Sequence, residues 1–126
     1  MWKNWFKTTI LVISISLLSA CSSYGRSPSD TVKKYYDEVK NGEFNQAIDL
    51  VSDVAVGMWS ESFIKTSMSK KQDKFQGSEF LEIKEKEVNG DIATVTYKIK
   101  LENGTEETFS NKLIKDDGEW VLKGGY

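Results

Sequence analysis

The fold class of this chain is decided by one stretch of its second half, Ile92-Ala93-Thr94-Val95-Thr96-Tyr97-Lys98-Ile99-Lys100-Leu101-Glu102. Apolar residues alternate there with threonines and lysines. A period of two predicts a β-strand with one face covered by the core and the other in water. The dipeptides Asn89-Gly90 and Asn103-Gly104 flank the stretch. Both are typical of tight hairpin turns, since the central residues of a type I′ turn need positive φ.

The same pattern extends on both sides of this strand. A third turn signal, Asp117-Gly118, divides the remaining sequence. We therefore expect four strands at about 79–88, 92–102, 105–116 and 119–124. Four residues of the last two strands continue the covered face: Phe109, Leu113, Trp120 and Leu122. The predicted sheet is an antiparallel meander packed on one side against helices.

The first half of the chain has helical periodicity. Ser27 and Asp30 form a candidate capping box around Pro28, which suits the first helical position. The apolar stripe of this first helix is Val32, Tyr35, Tyr36 and Val39, and Asn41-Gly42 ends it. We expect a short second helix from Phe44 to about Ser52 and a third from Ala55 to about Ser69. The lysine-rich segment 69–77 is predicted to be a loop.

Composition excludes several kinds of chemistry. The chain has 126 residues, enough for one domain, with one Cys and no His. Histidine general bases, histidine metal ligands, zinc–thiolate clusters and internal disulfides are therefore excluded. The sequence also has no acidic loop with calcium spacing. We expect neither a metal nor a cofactor.

The charge balance argues against nucleic acid as a partner. The chain has 17 basic and 19 acidic residues, and Lys3 and Lys7 are the only charges before Cys21. Without residues 1–20 the basic count falls to 15 against 19, a net charge of −4. No basic face stands out in that sequence. Bulk charge would not draw such a domain to anionic lipid either.

The start of the chain is typical of a secretory signal: two lysines, an apolar run over 10–18, then small residues. The run is too short to span a bilayer. It ends at Leu18-Ser19-Ala20-Cys21, which resembles the bacterial lipobox. That resemblance implies a signal peptide over 1–20, cleaved before a lipid-modified Cys21. A plain secretion signal and a short uncleaved anchor are the alternatives.

This layout predicts a short tether over 21–27 and a folded domain over 28–126. The six residues 22–27 reach at most about 20 Å, so the domain would sit close to the membrane. Ser22 is not the Asp that often signals inner-membrane retention. The resemblance therefore implies a bacterial cell-envelope location, at the outer membrane facing the periplasm if the host has two membranes.

The mature sequence resembles small bacterial lipoproteins with an uncharacterised domain of the nuclear-transport-factor-2-like (cystatin-like α+β) superfamily. Three stretches carry the resemblance: Pro28-x-x-x-Val32-x-x-Tyr35-Tyr36, Asn41-Gly42-Glu43-Phe44-x-x-Ala47 and Asp117-Gly118-Glu119-Trp120-x-Leu122. It implies an α+β fold in which a curved sheet wraps around the helices and often leaves an apolar pocket. Members of the superfamily have many functions, so the fold alone assigns none.

Candidate site residues are few. Trp59, Phe63, Tyr97 and Trp120 are the aromatic residues that would line a pocket, although packing in the core is the more common role of such residues. The isomerase members of the superfamily need a carboxylate base in the pocket. Glu85 and Glu107 are in phase with covered positions of their strands. Both also fit solvent-exposed strand ends.

These observations predict a non-catalytic, membrane-anchored binding or interaction module. Its expected partners are the membrane, through the lipid on Cys21, and an envelope protein or a small apolar ligand. A small pocket enzyme of the isomerase or dehydratase type is one alternative. A structural assembly subunit, such as a homodimer through the open sheet face, is the other.

Overall fold

The computed structural model describes residues 26–126, which form four helices followed by one four-stranded antiparallel sheet. The helices are α1 (Pro28–Lys40), α2 (Phe44–Ile48), α3 (Asp53–Trp59) and α4 (Glu61–Phe75). The strands are β1 (Glu79–Asn89), β2 (Ile92–Lys100), β3 (Glu106–Asp116) and β4 (Glu119–Gly124), in that order. The predicted α+β class is confirmed. The predicted signal peptide, Cys21 and most of the tether lie outside the described residues.

The strand predictions agree with the structure to within one or two residues. In β2, Ala93, Val95, Tyr97 and Ile99 are buried, as their alternation predicted. Leu113 of β3 pairs with Ala93 and with Leu122 of β4, so the covered face runs across neighbouring strands. The period of two identified this face because one side of the sheet packs against helices.

The turns differ from one another. Asp117 and Gly118 have φ of 52° and 79°, as a type I′ turn requires. The same expectation is wrong at Asn89-Gly90, where neither residue has positive φ. The pairing of β1 with β2 shifts register at a bulge between Glu87 and Asn89. In the turn itself, the Asn89 side chain accepts a hydrogen bond from the Asp91 amide. At Asn103-Gly104 only the glycine has positive φ, within a wider loop closed by Leu101.

Helix α1 begins and ends as the sequence predicted. The Ser27 hydroxyl accepts from the Asp30 amide, and the Asp30 carboxylate accepts from the Ser27 amide. The apolar stripe of α1 is buried against the sheet and α4. Thr31 adds a direct tie, since its hydroxyl donates to the Trp120 carbonyl of β4. These contacts fix the position of α1 across the sheet.

The predicted third helix is two helices. Its break is at Ser60, where φ is 72° and ψ is 148°. The Ser60 amide donates to the Val56 carbonyl and closes α3. Its hydroxyl accepts from the Phe63 amide and starts α4. One strained residue therefore serves both helix ends, and the chain turns between them.

Helix α4 continues through the segment predicted to be a loop, as far as Phe75. The Phe75 ring is fully buried and contacts Tyr36 and Phe109. Lysine and glutamine are good helix formers, so the local sequence permits this extension, and burial of the Phe75 ring stabilises its last turn. No helix among residues 26–126 is both long and apolar enough to cross a bilayer.

The segment after α2 pairs with the outer edge of β4. The Ser52 amide donates to the Leu122 carbonyl at 2.8 Å, and the Leu122 amide donates to the Leu50 carbonyl at 2.7 Å. This pairing ends α2 earlier than predicted, at Ile48. It also satisfies part of an exposed sheet edge and places α3 directly beside β4.

Ser60 provides a test of the helix break. Ser60→Gly should leave the free energy of unfolding unchanged or raise it by about 1 kcal/mol, because glycine removes the strain of this φ and ψ. Ser60→Ala keeps that strain and loses the cap, so it should cost about 1 kcal/mol. Urea denaturation measures both. Equal stability of the two variants, or a less stable glycine variant, would contradict the assigned strain.

Candidate functional site

The face of the sheet that packs against the helices is covered by aromatic rings. Phe80, Tyr97 and Phe109 lie on three neighbouring strands, with ring centroids 5.5 and 5.4 Å apart and nearly parallel planes. Tyr36 of α1 and Phe75 of α4 cover them at tilted or edge-on angles. Such offset and edge contacts are the favourable aromatic geometries. The space between helices and sheet is thus taken by the core.

Three polar atoms lie inside this core without a hydrogen-bond partner among the described residues: Tyr35 Oη, Tyr97 Oη and Asn111 Oδ1. Burial raises the pKa of Tyr35 strongly, with smaller contributions from Tyr97 and Tyr126. Burial also raises the pKa of Tyr97, to which Tyr36 contributes. Both phenols therefore stay neutral at physiological pH.

Lys71 of α4 borders this polar group. Its ammonium donates to the Gly125 carbonyl and lies 5.7 Å from the centre of the Tyr35 ring. Burial, with Lys74 as a second cause, lowers the pKa of Lys71 to about 8. Asn111 Nδ2 donates to the same Gly125 carbonyl at 2.8 Å. Together these bonds hold residues 124–126 against the core.

An apolar pocket lies outside the core, between α3 and the sheet. Its volume is about 270 Å³. Most of its lining residues are apolar, and Ser52, Lys123 and Tyr126 are those with polar side-chain groups. It is lined by Ser52, Val54, Ala55, Met58, Trp59, Ile114, Lys123 and Tyr126. Of these, Ser52 already uses its hydroxyl to accept the Ala55 amide and cap α3. We call this cavity the α3 pocket.

Exposed apolar side chains surround the α3 pocket. Val54 is 68% exposed, Met58 70%, Trp59 50% and Phe63 52%. The Trp59 and Phe63 rings stack at 5.5 Å across the Ser60 break. Single exposed apolar residues are ordinary, but four from adjacent helix ends beside a pocket form a patch typical of binding surfaces.

The four aromatic residues that the sequence predicted as pocket lining lie in two different parts of the structure. Trp59 lines the α3 pocket, and Phe63 stacks on it from outside. Tyr97 and Trp120 are only 1% and 5% exposed and belong to the core. The set is therefore not brought together around one cavity.

Sequence analysis missed the aliphatic part of the α3 pocket. Val54 and Met58 have helical i, i+4 spacing, offset from the buried position Ala55. That second stripe was the available signal. Ile114 lies next to the buried Leu113 and therefore on the opposite face of β3. Its part in the pocket depends on the position of α3, which no local pattern predicts.

The two candidate carboxylates lie away from the α3 pocket. Glu85 is exposed and accepts hydrogen bonds from the amide and hydroxyl of Ser29. Glu107 forms an ion pair with Lys74, with Nζ and Oε1 2.7 Å apart. Neither carboxylate is therefore available as a base facing the α3 pocket.

A separate polar groove of about 360 Å³ lies near Lys74 and Glu102. Within residues 26–126 no cluster of acidic or cysteine side chains could hold a metal ion.

Comparison with known proteins agrees with this architecture. The family model described as "Domain of unknown function (DUF4878)" matches residues 20–123. No curated protein matches the sequence. A crystal structure from Campylobacter jejuni, provisionally assigned as an NTF2-like transpeptidase, superposes with a TM-score of 0.55 at 14% identity. The match covers 79% of this chain and 99% of that one. It confirms the expected nuclear-transport-factor-2-like fold.

A second solved structure is more distant. It comes from Xanthomonas campestris and is provisionally assigned as a calcium/calmodulin dependent protein kinase II association domain. Its TM-score is 0.45 at 13% identity, over 72% of this chain and 76% of that one.

The buried titratable groups predict a stability maximum near pH 10. The pKa of Lys71 is about 8 in the folded protein against 10.5 ordinarily, so between these values the unfolded chain binds more protons and stability rises with pH. The pKa values of Tyr35 and Tyr97 are raised above 10.0, so stability falls as pH rises beyond that value. Urea denaturation across this range should show both limbs. Lys71→Gln should abolish the rising limb; an unchanged profile would contradict the assignment.

Two tyrosines differ in their hydroxyl partners. The Tyr36 hydroxyl is bonded to Ser78, whereas the Tyr97 hydroxyl has no partner among the described residues. Tyr36→Phe should therefore lower the free energy of unfolding by about 1 kcal/mol, and Tyr97→Phe should leave it unchanged or raise it. Thermal unfolding of the matched pair measures this. Equal destabilisation by both substitutions would show that Tyr97 has a partner.

Proposed function

The chain belongs to the DUF4878 family, described as a domain of unknown function, and on that premise we propose that it is a lipid-anchored binding module of the bacterial envelope. The α3 pocket and the exposed side chains around it receive an apolar group of a partner protein or ligand. The observation that carries the proposal is the position of this pocket beside the exposed Trp59–Phe63 stack.

The anchor rests on the sequence. Lys3 and Lys7, the apolar run over 10–18 and Leu18-Ser19-Ala20-Cys21 stand in the order of a lipoprotein signal. The family match begins at residue 20, directly before Cys21. Two or more acyl chains on this residue would hold the domain firmly at a membrane surface. The chain's single thiol stands where such a lipid is attached.

The size of the α3 pocket favours a small apolar group. Its 270 Å³ is slightly below the roughly 300–1,000 Å³ of sites that enclose a drug-sized molecule. One large apolar side chain or a short acyl segment would suit it. The apolar side chains of Val54 and Met58 in its lining, and of Phe63 beside Trp59, are at least half exposed. They would contact whatever carries the inserted group, as the surroundings of a binding hot spot do.

The residues lining the α3 pocket support binding more directly than catalysis. Among the described residues, no Asp or Glu side chain lines the pocket, and the Ser52 hydroxyl is engaged by the Ala55 amide. Lys123 is the only ionisable side chain there besides Tyr126. An isomerase or dehydratase needs a positioned base, and Glu85 and Glu107 are engaged elsewhere.

Binding at the α3 pocket can be followed residue by residue. Titration with a neutral aromatic probe should shift the methyl NMR signals of Ala55 and Ile114 and leave those of the buried Ile64 unchanged. Met58→Asp should weaken probe binding about tenfold or more, because it puts a charge into an apolar site. Leu81→Asp is the matched control on β1, outside the pocket lining. Equal effects of both variants, or shifts at Ile64, would contradict the assignment.

The anchor has its own test. Cys21→Ser should yield a protein whose mass lacks the lipid and retains residues 1–20, because the thiol is the attachment atom. Ser22→Ala is the control and should be processed normally. Mass spectrometry of the N-terminal peptide measures both. A wild-type peptide without lipid would contradict the anchor and leave the pocket assignment standing.

A further inference from the structure

One face of the sheet carries an unusual neighbourhood of apolar and basic side chains. On β2 and β3, Ile92 pairs with Ile114, and Thr94 pairs with Lys112. Thr94 also pairs with Lys86 of β1. Residues paired directly across strands share a face, so these five lie together. The opposite face, marked by the buried Ala93 and Leu113, packs against the helices.

This neighbourhood continues into the α3 pocket. Ile114 and Lys123 both line that pocket together with Val54, Met58 and Trp59. We call the combined surface the basic–apolar face. Its apolar members are Val54, Met58, Trp59, Ile92 and Ile114, and its basic members are Lys86, Lys112 and Lys123.

The lysines of the basic–apolar face are free to meet an external anion. Lys86, Lys112 and Lys123 are exposed, and none forms an ion pair with another described residue. Acidic residues mark one edge of this face. Asp116 and Glu119 pair with each other at the next position on the same face of the sheet after Ile114. Positive charge is therefore concentrated on one part of a domain whose net charge is negative.

The chain enters the domain beside β1, on the side of the sheet opposite to Lys86. The Ser29 amide and hydroxyl bond to Glu85, which pairs with the buried Val95 and so lies on the helix-covered side of β1. Only residues 22–27 separate Cys21 from α1, a span of at most about 20 Å. An anchored domain on so short a tether stays near the headgroups. One face of the domain is then held against the lipid headgroups.

We propose that the basic–apolar face docks on an anionic bilayer surface, with the lysines against the headgroups and Trp59, Met58 and Ile92 at the interface. Tryptophan is favoured at this depth, and apolar insertion combined with lysine attraction is the recognised pattern of peripheral membrane contact. The inference rests on the proposed anchor, since the tether argument needs it. It also implies that the α3 pocket opens towards lipid.

The docking is tested on the full chain reconstituted into phosphatidylcholine vesicles with or without phosphatidylglycerol. Fluorine-labelled tryptophan gives separate signals, assigned with Trp59→Phe and Trp120→Phe, and a spin-labelled lipid broadens those near the bilayer. Broadening of Trp59 in anionic vesicles, with Trp120 unaffected, is the expected result. The proposal would be overturned if a water-soluble paramagnetic agent broadened the Trp59 fluorine signal equally in vesicles and in detergent.

Charge reversal separates this face from general electrostatics. Lys86→Glu and Lys112→Glu each replace a positive charge with a negative one, so each should reduce the ratio of docked to undocked protein about thirtyfold. Lys70→Glu, an exposed α4 lysine outside this face, is the matched control and should change little. Equal loss from Lys70→Glu would overturn the assigned orientation. So would protection of Trp59 that requires added membrane protein rather than lipid.

The outcomes distinguish this inference from the proposed function. The N-terminal peptide mass decides the anchor, and the Met58→Asp titration decides the pocket. Normal lipid mass and normal probe binding, without lipid contact at Trp59, would overturn the docking alone.

Discussion

The fold depends on one layer of aromatic contacts. Phe80, Tyr97 and Phe109 stack across β1, β2 and β3, and Tyr36 and Phe75 cover them from two helices. Aromatic pairs of this kind add about 0.5–1.5 kcal/mol each beyond the area they bury. The layer joins elements that are far apart in the sequence. It also occupies space between the helices and the sheet that could otherwise hold a ligand.

A second constraint places the candidate site outside that core. Backbone pairing of Leu50 and Ser52 with Leu122 holds the start of α3 at the edge of β4. Ala55 faces inward from there, while Val54 and Met58 remain exposed. The break at Ser60 then turns the chain so that Phe63 stacks on Trp59. The α3 pocket is therefore a consequence of how one short helix is attached, and its walls come from three separate parts of the chain.

The sheet could be predicted closely because its signals are local. Alternation in β2 and turn residues at three positions located all four strands, and the Ser27–Asp30 box located α1. The helix break could not be predicted, since Ser60 adopts a conformation that its residue type disfavours. The length of α4 depends on burial of Phe75, which is a tertiary contact. For the site, sequence analysis identified Trp59 and Phe63 but grouped them with Tyr97 and Trp120. Aromatic residues at core positions and at a surface pocket look alike until the helices are placed.

The central claim is that the interior is full and that space for an apolar group lies between α3 and the sheet. Xenon enters dry apolar cavities and scatters strongly, so a crystal structure of the protein under xenon pressure tests this most directly. The account predicts a xenon atom in the α3 pocket, in contact with Met58 and Ile114, and none among the rings of Tyr36, Tyr97 and Phe109. Xenon within the aromatic layer, with the α3 pocket empty, would contradict it.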